Sequence, residues 1–78
     1  IKAETDADGK TRLMSPVFFY LNKSQIKILC GGREVDFTLS RDRKNTDPLD
    51  FMPCFRLPGG EETVLKVIIN TKEYSCKI

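Results

Sequence analysis

Stretches of alternating hydrophobic and polar residues, separated by turn residues, recur along the chain. The clearest covers residues 33–40, where Val35, Phe37 and Leu39 point one way and the polar residues between them point the other. A period of two is typical of a β-strand with one buried face and one solvated face. Comparable patterns predict strands at residues 25–30, 51–57, 63–70 and 74–78.

Two segments, residues 1–14 and 17–21, do not alternate clearly. Residues 17–21 form a short continuous apolar run, whose length favours a buried strand over a helix. Residues 1–14 are predicted to be a peripheral hairpin or arm that turns at Asp8-Gly9, since Gly accepts positive φ at low cost. Further turns are predicted at residues 22–24, 31–32, 58–60 and 71–73.

The pattern as a whole predicts an all-β protein. No stretch of about 11 residues shows helical periodicity with capping residues. With 78 residues, the chain suits a single domain that spans residues 1–78. We expect a small antiparallel meander of about 6–8 short strands, forming a sandwich or a partly open barrel without substantial helix.

The composition of the chain argues against several classes of function. The 13 basic and 11 acidic residues leave a net charge of +2, which is too balanced to indicate nucleic-acid binding. The absence of His removes the commonest general base and metal ligand, so we expect neither an enzyme nor a bound cofactor. No apolar run approaches the roughly 18 residues of a membrane span. The first residue is Ile rather than Met, which predicts a mature product or an excised domain.

Three cysteines, Cys30, Cys54 and Cys76, leave two arrangements open. One is a single disulfide with one thiol left over, and the other is three buried thiols. The odd number slightly favours an intracellular protein, because secreted domains stapled by disulfides usually carry an even number. The spacing of the cysteines matches no zinc-ligand pattern, so we expect no metal site.

The longest predicted loop, residues 41–50, is one candidate for partner binding. Its cations Arg41, Arg43 and Lys44 would contact an acidic partner. A solvated connection is the other interpretation, because the aspartates of the loop dilute its positive charge.

The last predicted strand, residues 74–78, is the second candidate. It is short and terminal, and only Lys77 is an obvious guard against pairing with another strand. A strand from a partner, or from a second copy, would satisfy its free backbone groups, and Tyr74, Ser75 and Lys77 would make that contact. Alternatively, residues 1–14 cover this edge. The predicted function is therefore a non-enzymatic protein–protein interaction module that docks a protein partner or forms a homo-oligomer.

A few positions support an alternative. Cys30 after an alternating stretch, Phe37-Thr38-Leu39, and Tyr74-Ser75-Cys76 resemble an immunoglobulin-type domain, in which a Tyr stands two residues before the second cysteine. The resemblance implies an inter-sheet Cys30–Cys76 disulfide and an extracellular receptor or adhesion function. In that setting, Asn22 of Asn22-Lys23-Ser24 would be an N-glycosylation site.

Overall fold

The computed structural model describes residues 1–40, 44, 47–57 and 64–77. Within them, three short 3₁₀ helices are the only helical segments, at Pro16–Tyr20, Lys23–Gln25 and Pro48–Phe51. The predicted all-β class without substantial helix is therefore confirmed. The same residues form seven strands: β1 (Lys2–Thr5), β2 (Lys10–Met14), β3 (Ile26–Cys30), β4 (Arg33–Glu34), β5 (Cys54–Arg56), β6 (Val64–Ile69) and β7 (Lys72–Lys77).

The strands form two antiparallel sheets. The first sheet has the order β1-β2-β5, and the second has the order β4-β3-β6-β7. Hairpins join β1 to β2, β3 to β4 and β6 to β7, whereas the other three connections pass from one sheet to the other. Hairpins of the predicted antiparallel meander are thus present in each sheet, and the connections between the sheets place β2 beside β5 and β3 beside β6.

The strand predicted at residues 33–40 divides between the two sheets. After β4, the Val35 N–H donates to the Ile28 carbonyl oxygen at 2.8 Å, and the chain then leaves the second sheet. Thr38 and Cys54 exchange both backbone hydrogen bonds, at 2.8 and 3.0 Å, so Thr38 extends the first sheet beyond β5. The predicted alternation persists through this crossing, because the side chains of Val35 and Phe37 are both buried.

The hydrophobic core lies between the inward faces of the two sheets. Leu13 comes from the first sheet, and Ile28, Leu65 and Val67 come from the second; all four are fully buried. Phe18 of the first 3₁₀ helix is also fully buried and is among the largest side chains of the core. Continuous burial of alternate residues explains why the period of two was so clear in the sequence.

The apolar run at residues 17–21 is not a strand, so that prediction was wrong. Ser15 precedes the helix Pro16–Tyr20, and its Oγ accepts a hydrogen bond from the Val17 N–H at 3.4 Å. Pro at the first helical position and Ser before it are both favourable at a helix start. The helix buries only Phe18, and Tyr20 remains 86% exposed.

Two other predicted boundaries also require correction. Phe51 ends the third 3₁₀ helix, which begins at Pro48, and β5 starts only at Cys54. The connection between β6 and β7 is Asn70-Thr71 rather than residues 71–73, because Ile69 already pairs with Lys72. Asn70 has φ 56°, a conformation that Asn adopts more readily than most residues. The turn predicted at residues 58–60 lies outside the described residues.

The Cys30–Cys76 disulfide is absent. Cys30 and Cys76 both pair with Leu65, one on each side, so two strand spacings of the same sheet separate them. At about 4.8 Å per spacing, their Cα atoms are roughly 10 Å apart, beyond the reach of a disulfide. All three cysteines are free thiols, and Cys30 and Cys76 are buried.

Candidate functional site

The outer edge of β7 is the candidate site. β7 stands last in the order of the second sheet and pairs with β6 alone among the described strands. The pairing is continuous over all 6 residues of β7, from Lys72 opposite Ile69 to Lys77 opposite Val64. The position of this strand at a sheet edge, predicted from its place in the sequence, is what the structure shows.

The backbone of β7 alternates between groups that bond to β6 and groups that point away from it. The connection Asn70-Thr71 has only two residues, so the flanking pair Ile69–Lys72 exchanges hydrogen bonds. Such pairs alternate along an antiparallel ladder with pairs that make no hydrogen bond to each other. The outward N–H and C=O groups therefore belong to every second residue of β7: Glu73, Ser75 and Lys77.

The side chains of β7 also divide between two faces. Cys76 points toward the first sheet and is 2% exposed. Tyr74 has the same inward phase but is 41% exposed, so the first sheet does not cover it. Glu73, Ser75 and Lys77 lie on the outer face, where Lys66 of β6 places its Nζ 3.8 Å from Glu73 Oε2.

The N-terminal residues cover part of the inner side of β7. Strand β1 lies next to β7, and the Cys76 thiol donates to the carbonyl oxygen of Ile1 at 3.5 Å. No backbone hydrogen bond joins β1 to β7 within the described ranges. The contact therefore closes the core beside Cys76 and leaves the outward backbone groups of β7 without a described strand partner.

Two other sheet edges are less suited to adding a strand. β4 has only 2 residues, and the chain crosses to the first sheet directly after it. β1 has 4 residues, and Lys2 and Glu4 form an exposed ion pair on it at 3.6 Å. Short edge strands offer few outward backbone groups to a further strand.

The other predicted site residues that the structure describes lie outside β7. Arg41 and Arg43 lie outside the described residues, and Lys44 is exposed. Asn22 is exposed at the start of the helix Lys23–Gln25, where its N–H donates to Gln25 Oε1 at 2.9 Å. Cys54 is half-buried on the outer face of the first sheet, between Arg12 and Thr38.

A groove beside β3 was not predicted from the sequence. It has a volume of about 620 Å³ and opens where the chain leaves the second sheet. Lys23 Nζ lies 3.2 Å from Asp36 Oδ1 and 5.2 Å from the centre of the Phe37 ring. The hydrogen bond from Lys23 lowers the pKa of Asp36, and the Phe37 N–H lowers it further. No sequence signal linked Lys23 to Asp36, because only the crossing between sheets brings them together.

The described part of the chain contains neither a cluster of metal ligands nor a helix that could span a membrane. No three His, Cys, Asp or Glu side chains there lie close enough to hold a metal ion. No helix in those residues is long and apolar enough to cross a membrane. No family model, curated protein or solved structure matches the chain.

Proposed function

We propose that this chain is a non-enzymatic protein-binding module that docks an extended strand of a protein partner on the outer edge of β7. The observation that carries the proposal is the set of outward N–H and C=O groups at Glu73, Ser75 and Lys77. A strand added at a sheet edge gains its affinity from backbone hydrogen bonds of this kind. Its specificity would come from side chains on the two faces, foremost the half-exposed Tyr74.

The regular backbone of β7 also supports the proposal. Edge strands are commonly protected by Pro, by a bulge or by an inward-pointing charge. β7 contains no Pro, and its pairing with β6 proceeds without a bulge. Its inward positions include Tyr74 and Cys76, and Lys72 is the inward-phase cation at the hairpin end.

A proline scan along β7 tests the proposal. Ser75→Pro removes an outward N–H and takes no hydrogen bond from the β6–β7 ladder, so we expect folding to persist and strand docking to be lost. Ser75→Ala keeps the outward N–H and should dock as the wild type does. Tyr74→Pro removes a ladder N–H instead and leaves the Val67 carbonyl oxygen without its partner, so it should destabilise the fold by about 1–3 kcal/mol.

A display library of random octapeptides is a suitable probe, because it presents extended backbones without assuming a partner. Peptides selected on the wild-type chain should bind Ser75→Ala and fail to bind Ser75→Pro. Amide hydrogen exchange should slow at Glu73 and Ser75 in the bound state. Selection of no binders, or protection that maps only to other strands, would overturn the proposal.

A second candidate is an extracellular immunoglobulin-like recognition domain, which the strand order favours. In that fold one sheet has the order A-B-E-D, and the other has C-F-G with an added C′ strand in some members. Here β1-β2-β5 followed by the Thr38 bridge corresponds to A-B-E-D, and β4-β3-β6-β7 corresponds to C′-C-F-G. The cysteines then occupy the C and G strands, so this candidate is proposed without the disulfide.

Secretion from a eukaryotic cell tests this second candidate. A secreted monomer that carries a glycan at Asn22 would support it, and the glycan should be absent in Asn22→Gln. Retention in the cell, with disulfide-linked aggregates formed by the three free thiols, would count against it.

A further inference from the structure

We propose that the strand docked on β7 is the β7 of a second copy, paired antiparallel about a two-fold axis at Ser75. This inference rests on the proposed function, because it uses the same edge. The two second sheets would then join into one continuous sheet. An interface with two-fold symmetry is self-complementary. The residues of β7 must therefore be compatible with the residues of a second β7 that runs in the opposite direction.

The alternation of backbone groups along β7 restricts how two copies of this strand can pair. Only the residues with outward groups, Glu73, Ser75 and Lys77, can exchange hydrogen bonds across the new edge. Each must therefore face another member of the same set. Three symmetric registers pair at least three residues of the segment 73–77 and place the paired members of this set opposite one another, with the axis at Tyr74, at Ser75 or at Cys76.

Charge selects the register centred on Ser75. In that register Glu73 lies directly opposite Lys77 of the second copy, and symmetry repeats the pair. With the axis at Tyr74, Glu73 faces Ser75 instead, and with the axis at Cys76, Lys77 faces Ser75. Opposite charges that face each other across an antiparallel pair stabilise it, and like charges destabilise it. The Ser75 register is also the one that pairs all five residues from Glu73 to Lys77.

The side chains on both faces are compatible with this arrangement. On the outer face, Glu73 would lie between Lys66 of its own chain, at 3.8 Å, and Lys77 of the second copy. On the inner face, Tyr74 would lie opposite Cys76 of the second copy. The second copy would then cover part of the Tyr74 side chain, which is 41% exposed in a single copy. One strand of this length gives a small contact, so the dimer should be weak and concentration-dependent.

Charge reversal tests the register. Glu73→Lys alone, or Lys77→Glu alone, creates two like-charge pairs and should weaken dimerisation about tenfold or more in sedimentation equilibrium. The double variant Glu73→Lys/Lys77→Glu restores opposite charges and should recover most of the lost affinity. Lys72→Glu is the matched control, because Lys72 lies outside the five paired residues and should change the dimer little.

Cross-linking gives a second, independent measurement. In a Cys54→Ser/Cys76→Ala background, Ser75→Cys places two thiols opposite each other in a hydrogen-bonded pair, whose Cα separation of about 5.5 Å suits a disulfide. This variant should form a covalent dimer on mild oxidation. Tyr74→Cys in the same background should not, because in this register residue 74 faces residue 76 of the second copy, which then carries no thiol. Faster cross-linking of Tyr74→Cys than of Ser75→Cys would overturn the register.

Failure of this inference is distinguishable from failure of the proposed function. A chain that stays monomeric at millimolar concentration while octapeptides still protect the amides of β7 would refute self-pairing and leave the docking edge intact. Loss of both peptide binding and dimerisation would refute the two together. A dimer that forms equally well in Ser75→Pro would show that the copies associate elsewhere and would refute self-pairing.

Discussion

The thiol of Cys76 donates a hydrogen bond to the backbone carbonyl oxygen of Ile1, 3.5 Å away. The first residue of the chain therefore packs against its last described strand, where the edges of the two sheets meet. This contact explains how Cys76 is buried although β7 lies at a sheet edge. On the same inner face, Tyr74 stays 41% exposed.

Thiol labelling should separate the three cysteines. Cys54 is half-buried on the outer face of the first sheet, whereas Cys30 and Cys76 are 5% and 2% exposed. We expect iodoacetamide to modify Cys54 first in the native protein and to modify the other two only as the structure opens. Mass spectrometry of timed samples measures the order. Equal rates for all three thiols in native buffer would contradict the burial of Cys30 and Cys76.

Phe18 should account for much of the stability of the fold. Its side chain is fully buried, and Phe18→Ala should lower the free energy of unfolding by about 3–5 kcal/mol, because it leaves a cavity. Tyr20 lies two residues later in the same 3₁₀ helix and is 86% exposed. Tyr20→Ala should change stability by no more than about 0.5 kcal/mol. Urea unfolding measures both changes in stability. Equal effects would contradict the burial of Phe18 and the exposure of Tyr20.

Acid should weaken the β1–β2 hairpin through Asp6. Asp6 Oδ1 accepts hydrogen bonds from the N–H groups of Asp8 and Lys10, at 2.9 and 3.0 Å. The bond from Lys10 is the main reason that the pKa of Asp6 lies below its ordinary value of 3.8. A lowered pKa favours the charged carboxylate in the folded state, so its contribution is complete above pH 3.8 and is lost as the pH falls through the folded pKa.

The measurement is the pH dependence of unfolding in wild type and Asp6→Asn. Asn keeps an acceptor oxygen but does not titrate, so this variant should lose less stability between pH 5 and pH 2 than the wild type does. Carbon NMR of the Asp6 carboxyl group should give a midpoint below 3.8. A midpoint at or above that value would contradict the hydrogen-bonding arrangement.

Asn70 should tolerate Gly but not a β-branched residue. Its φ of 56° lies in the left-handed region, and its N–H donates to the Gln25 carbonyl oxygen at 2.9 Å. Asn70→Val should lower the free energy of unfolding by about 1–2 kcal/mol, because the side chain clashes with the backbone in that conformation. Both variants lose the hydrogen bond that Gln25 Nε2 donates to Asn70 Oδ1 at 3.4 Å. Asn70→Gly avoids the backbone clash, so thermal unfolding should rank it above Asn70→Val.

Local patterns predicted the strands best where one face is continuously buried. Leu65, Val67 and Ile69 alternate with outward residues along β6, and the inward set is buried as expected. The pattern misled at residues 17–21, because five adjacent hydrophobic residues fit a buried strand equally well. Ser15 and Pro16 carried the missing signal, since together they favour the start of a helical turn.

The candidate edge was partly predictable. Tyr74, Ser75 and Lys77 were placed at an exposed strand edge from their position in the sequence, and β7 does lie at an edge. The place of Glu73 within β7 was not predicted, because the turn was expected at residues 71–73. Only the pairing of Ile69 with Lys72 fixes which residues direct their backbone groups outward.

The sequence by itself determined that the chain forms short strands and which side chains of those strands face inward. It also contains no His, the commonest general base. A period of two specifies a face without any knowledge of the neighbouring strand. Only the tertiary structure decided which strands pair, because pairing depends on contacts between residues far apart in the chain. It placed Cys30 and Cys76 in one sheet on either side of Leu65, and it left β7 at the edge beside Ile1.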